Sequence, residues 1–105
     1  MDEQSERAIK LAIIKAVEHI CGAIPVRINA GKARARGGYV QGARNGTPDL
    51  AFVLHGGRML WVEVKRATGK PSPDQLAMHE ELRKRGHSVI VARDVETVVQ
   101  AARAM

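Results

Sequence analysis

Ile9, Ile13, Ala16, Val17 and Ile20 recur at helical spacing, which lines one face of a helix. Gly22 is a natural stop just beyond, so a helix is predicted over 4–21. In "IPVRINAG" Val26 and Ile28 alternate with Arg27 and Asn29, the period of a short strand. Residues 31–46, "GKARARGGYVQGARNG", break that pattern with five glycines and no acid. They read as a mobile loop or irregular hairpin. Two apolar runs follow, 49–54 and 59–65, joined by "HGGR", and a Gly-Gly pair between such runs is a hairpin signal. "ATGKPSP" is loop, and a helix is expected from Pro73 to about Arg85, stopped by Gly86. "HSVIVA" reads as a buried strand, and Asp94 caps a last helix to about Arg103. The order α-β-β-β-α-β-α, with no internal repeat, predicts one α/β (α+β) domain over 1–105. Its central mixed sheet is flanked by helices.

A chain of 105 residues can bury a single modest core. Tyr39, Phe52 and Trp61 are its only aromatics, so the core must be aliphatic, and a platform of stacked bases is not expected. The formal charge of +6 and a pI near 10.1 favour a polyanionic partner, with nucleic acid ahead of a membrane surface. Cys21 is alone, which excludes a disulfide framework and fits a reducing compartment. The start "MDEQSERAIK" is charged, and no apolar run approaches the roughly 20 residues that cross a bilayer. A soluble, cytoplasmic protein without membrane contact is expected.

The candidate chemistry starts at "RNGTPDLAFVL", residues 44–54, where an apolar strand begins with a carboxylate. Asp49 alone could be turn chemistry. Its partners lie in "LWVEVK": strand alternation puts Trp61, Glu63 and Lys65 on one face and Val62 and Val64 on the other. Across a four-residue hairpin turn, the start of one strand lies beside the end of the next. Asp49, Glu63 and Lys65 therefore converge at one end of the sheet. Two carboxylates 4 Å apart repel by roughly 4 kcal/mol at an effective dielectric of about 20, and a divalent cation removes that conflict. All-oxygen ligands suit Mg²⁺ or Mn²⁺, whereas the histidines at 19, 55, 79 and 87 lack metal-ligand spacing. An ion there would lower the pKa of bound water and polarise a phosphate oxygen. Lys65 could then orient the water or neutralise the phosphorane. This is the chemistry of phosphodiester hydrolysis.

"GTPDL", "WVEVK" and "GKPSPDQ" together resemble the VRR-NUC family, a branch of the PD-(D/E)xK nuclease superfamily. The likeness runs from "SERAIKLAII" to the last strand. It implies a restriction-endonuclease-like fold and a Mg²⁺- or Mn²⁺-dependent endonuclease acting on DNA, with no nucleotide cofactor. Carried over, Asp49 and Glu63 bind the metal with the backbone carbonyl of Val64, and Lys65 is the catalytic lysine. Gln75 matches the family's helix glutamine, and Glu6 in "SERAI" best matches its first-helix glutamate, with Glu3 and Glu18 as rivals. Gln75 has a structural reading beside this one, because Ser72-Pro73-Asp74-Gln75 is a capping box. His79, one turn on, reads as a surface or packing histidine.

Arg27, Lys32, Arg34, Arg36 and Arg44 fall in a stretch free of acids between Glu18 and Asp49. They are expected to grip DNA phosphates. The rival readings are a basic nucleic-acid-binding module without catalysis and an inactive subunit docked on a replication or repair protein. The intact Asp-Glu-Lys set counts against both. One metal centre per chain cuts one strand at a time, so a homodimer acting on branched DNA, such as a four-way junction, is expected. Stand-alone phage or bacterial members of the family resemble junction-resolving (Holliday junction resolvase-like) DNA repair enzymes.

Overall fold

The computed structural model describes residues 4–30, 32–35 and 37–105, and for 32–35 and 39–41 it gives the backbone. In chain order the elements are α1 (Glu6–Cys21), β1 (Ile24–Arg27), β2 (Lys32–Ala35), β3 (Gly38–Gln41) and β4 (Leu50–Val53). A 3-10 turn (His55–Gly57), β5 (Met59–Val64), α2 (Pro73–Lys84), β6 (Ser88–Ala92) and α3 (Val95–Ala104) complete it. The stretch read as a loop or irregular hairpin is a hairpin: β2 and β3 form an antiparallel two-stranded sheet of their own. Arg36 and the rival glutamate Glu3 lie outside the described residues, as do the side chains of Lys32 and Arg34.

The main sheet has the order β1-β4-β5-β6. Its first two pairings are antiparallel and the last is parallel, so the sheet is mixed, as expected. Helix α2 supplies the long crossover that a parallel pair requires. Alternation along the strands sorts the two faces. Leu50, Phe52, Leu60, Val62, Val64 and Ala92 join Ile9, Ile13 and Val17 of α1 and Val98 and Ala102 of α3 in one buried cluster. An aliphatic core with Phe52 at its centre matches the composition, and emptying the Phe52 site would cost about 3–5 kcal/mol.

Helix ends follow their sequence signals. Ser5 Oγ accepts the Ala8 N–H at 3.1 Å, and Gly22 closes α1 at φ +63°, a conformation that favours glycine. Asp94 caps α3 by accepting the Thr97 N–H at 2.8 Å. Helix α2 covers the opposite face of the sheet, and its one buried residue is His79. That polar helix meets the sheet where Glu63 emerges. The site is built there.

Candidate active site

The approach to Asp49 is fixed before β4 begins. The Arg44 carbonyl accepts both the Thr47 N–H at 3.0 Å and the Thr47 hydroxyl at 2.6 Å. Gly46 holds φ +86°, and any Cβ there would run into the Asp74 carbonyl. Glycine thus lets this turn pack on the first turn of α2. Pro48 is fully buried, so the chain enters β4 along one path.

Asp49 lies one step beyond the Leu50–Val62 pair, and so faces Glu63. Its Oδ1 accepts the Val64 N–H at 3.3 Å. In an extended chain the N–H and C=O of one residue leave on the same edge, so the Val64 carbonyl is directed to Asp49's side of β5. Asp49 Oδ2 receives Lys10 Nζ of α1 at 3.0 Å.

Glu63 is 2% exposed. Gln75 Nε2 donates to its Oε2 at 3.3 Å, and His79 Nε2 lies 3.4 Å from its Oε1. Burial, then repulsion from Asp49, pushes the Glu63 carboxyl up to about 7, with Lys65 opposing and Glu6 adding to the rise. Burial holds the His79 imidazole below its usual value, helped by Arg83 and Lys65. A neutral His79 can donate to ionised Glu63 or accept from its protonated form. His79 Nδ1 is buried and has no hydrogen-bond partner among the described residues.

Lys65 follows Glu63 on the same face. Its N–H donates to the Ala92 carbonyl at 3.0 Å, and its half-buried side chain shares a recess with Glu6, Gly69 and Lys70. Glu6, in the first turn of α1, reaches Gly69: a Cβ on that glycine would lie 3.5 Å from Glu6 Oε2. Glu18 is exposed, twelve residues farther along α1, or roughly 18 Å at helical rise. Gln75 does both things expected of it. Its backbone N–H donates to Ser72 Oγ at 3.2 Å, and its Oε1 accepts the Ser72 N–H at 2.8 Å, while its amide reaches Glu63.

The structure thus brings Glu6, Asp49, Glu63, Val64, Lys65 and Gln75 to one end of the sheet. Among the described cations, Arg27 lines a polar recess of about 280 Å³ with Arg7, Lys10 and Asp49. Arg44 lies across the sheet beside α2. Arg27 and Arg44, the two whose side chains are described, therefore lie in separate recesses. Two neighbours of the site were not singled out from sequence, Lys10 and the role of His79. Each stands four residues after a chosen one, Glu6 and Gln75, and i,i+4 residues share a helix face.

Among the described residues, no three His, Cys, Asp or Glu side chains meet closely enough to hold an ion alone. The donors present are two carboxylates and a backbone carbonyl. Such a hard oxygen set leaves coordination positions for water and phosphate, as Mg²⁺ prefers. Among the described residues no lysine or arginine makes a direct ion pair with Glu63, and burial and Asp49 disfavour its charge, which a bound cation would relieve. The residues fit a divalent cation.

The family model described as VRR-NUC domain matches residues 4–96. A curated relative, "Putative nuclease p44" of Acyrthosiphon pisum secondary endosymbiont phage 1, is 37% identical over 65 residues, covering 60% of this chain and 70% of the relative. A solved structure described as a VRR-NUC domain superposes with a TM-score of 0.68 at 28% identity. It covers 92% of this chain and 94% of that one.

Proposed function

The chain belongs to the VRR-NUC domain family, and on that premise we propose that it is a divalent-metal-dependent endonuclease that hydrolyses DNA phosphodiester bonds. The observation that carries this reading is Asp49 held against the Glu63–Lys65 end of β5, with its Oδ1 on the Val64 N–H. Asp49, Glu63 and the Val64 carbonyl would hold Mg²⁺ or Mn²⁺. Bound there, the ion supplies an acidified water and a polarised phosphate oxygen.

The protein's own groups do the remaining work. Lys65, on the Glu63 face, donates to the attacking water or to a non-bridging phosphate oxygen as charge develops. Glu6 shares its recess and orients the ammonium. Gln75 and His79 fix the two oxygens of Glu63, which keeps the carboxylate aimed at one place. Arg7, Lys10 and Arg27 around Asp49 meet the phosphates flanking the cut, Lys32, Arg34 and Arg36 extend that contact, and Arg44 meets the DNA separately on the α2 side.

The same reading takes 1–105 as one nuclease domain working in the cytoplasm of a bacterial or phage-infected cell. No helix among the described residues is long and apolar enough to cross a membrane. It acts as a homodimer on branched DNA. Leu11 and Ile20 of α1 and Ile24 and Val26 of β1 are exposed. They supply an apolar surface beside β1, the outer strand of the main sheet among the described residues, for a two-fold contact. Purified protein with Mg²⁺ or Mn²⁺, offered linear, flapped and four-way DNA of equal length, tests the reading. Metal-dependent cutting, fastest on the junction, is expected. No cutting of any of the three contradicts it.

A further inference from the structure

Trp61 is the chain's one tryptophan. It stands on β5 two residues before Glu63 and on the same face, roughly 7 Å away at strand rise. With Met78 and Leu82 of α2 it makes the apolar floor of a recess of about 290 Å³, whose other walls are Arg44, Thr47, Glu81 and Arg85. The walls are preset. The Trp61 Nε1–H donates to His87 Nδ1 at 3.0 Å, and the two rings meet edge to face, 5.8 Å apart at 81°. That contact fixes the indole and satisfies its polar atom, so what Trp61 offers the recess it lines is apolar ring surface. Arg85 is held by Glu81 at 2.6 Å, and the Arg44–Thr47 turn is seated on α2 through Gly46.

We infer that this recess receives one unpaired nucleobase of the DNA substrate, stacked on Trp61 and displaced from the strand being cut. The inference rests on the nuclease reading and narrows its substrate to DNA with an unpaired nucleotide next to the scissile phosphate. Three features select a base. A fixed indole gives a flat stacking surface that tolerates any base. Arg44 and Arg85 at the walls suit the phosphates on either side of an extruded nucleotide. The Glu81 carboxylate can accept from an exocyclic amine such as cytosine N4. A paired base cannot enter, because it is stacked inside the duplex and must be flipped out at a cost of a few kcal/mol. Single strands, flaps and branch points bear little or none of that cost. Four residues of chain separate Arg44 from Asp49, so base and phosphate would be gripped by one continuous segment.

Because Trp61 is the sole indole, its emission reads the contact directly, and EDTA keeps the measurement independent of cutting. Wild-type protein is titrated with a single-stranded thymidine oligonucleotide, a blunt duplex of equal length and an abasic sugar-phosphate chain of equal length. Fluorescence anisotropy of the labelled DNA certifies saturation. Quenching of at least half the emission by the single strand, with little by the duplex or the abasic chain, is expected. Trp61→Ala should weaken single-strand binding by about 5- to 150-fold, Trp61→Phe should restore most of it, and duplex affinity should hold. Saturated single-strand binding with unchanged Trp61 emission overturns the inference, as does equal quenching by the abasic chain. Metal-dependent cleavage is scored separately, so a working nuclease without quenching fails this inference alone. Quenching without cleavage fails the nuclease reading alone.

Discussion

Lys10 Nζ lies 3.0 Å from Asp49 Oδ2, at the point where α1 passes the start of β4. The ammonium neutralises a carboxylate that the proposed mechanism assigns to a metal, so cation and lysine compete for it. The pair is partly exposed, and such pairs contribute about 0.2–1 kcal/mol. Lys10→Met is therefore expected to tighten Mg²⁺ binding by up to roughly five-fold by calorimetry. The same variant should cut DNA more slowly, since Lys10 also meets the incoming phosphate. Weaker metal binding in Lys10→Met would show that the lysine orients Asp49 instead of competing for it.

Glu63 makes stability depend on pH. Its folded carboxyl is pushed up to about 7 from an ordinary 4.5, so between those values the folded chain holds a proton that the unfolded chain has released. Stability then falls as pH rises through that window, by about 3 kcal/mol in total. The lowered pKa of His79 acts oppositely: its contribution is present above 6.5 and is lost as pH falls below that. Comparing wild type with Glu63→Gln in EDTA isolates the carboxyl. Between pH 4.5 and 7.5 the variant should gain on wild type in thermal melts, and Mg²⁺ should raise the wild-type Tm more at pH 8 than at pH 5.5. Parallel melting curves across that range would remove Glu63 as the strained group.

His79 acts through Glu63. Removing the group that orients a metal ligand typically costs 10–100-fold in metal affinity or activity. His79→Leu should lose about that much Mg²⁺ affinity, while His79→Gln, which keeps a donor beside Oε1, should recover most of it. Circular dichroism identifies the folded variants. Unchanged affinity in folded His79→Leu would make the histidine a packing residue.

Duplex binding should weaken with salt. Replacing Arg27, which lines the Asp49 recess, should flatten the log–log slope by about 0.9, and replacing Lys32, Arg34 and Arg36 together by about 2.7. A slope unmoved by Arg27→Ala would place that recess off the DNA path.

Much of this was legible in the chain. Period-2 patterns located the main-sheet strands and a period-3.6 pattern located α1, because each buries a regular apolar face, while capping and stop residues (Pro73 and Gly86, Asp94) located α2 and α3. Asp49 opposite Glu63 followed from hairpin geometry alone. The β2–β3 hairpin was harder to read: its five-glycine stretch carries little apolar alternation, and its pairing is a backbone property. Helix α2 was misleading in another way. It lacks an apolar stripe, and its one fully buried side chain is a histidine, so nothing in local periodicity marks His79 as turned inward. Glu63 explains it. Lys10 likewise looks like a solvated lysine until α1 is laid beside β4. The recess over Trp61 depends on where a helix and a turn stop short of each other, which no local pattern encodes.

The proposed mechanism makes Asp49, Glu63 and Lys65 one hydrolytic centre. Its most direct measurement is single-turnover cleavage of end-labelled flapped DNA in Mn²⁺ by wild type and by Asp49→Ala, Glu63→Ala and Lys65→Ala. DNA affinity is measured in EDTA alongside. Wild type is predicted to cut only with metal. Each variant should fall by about 10²–10⁴-fold in rate, while the Lys65 variant at least keeps its fold and DNA affinity. Three folded variants that cut at the wild-type rate would contradict it.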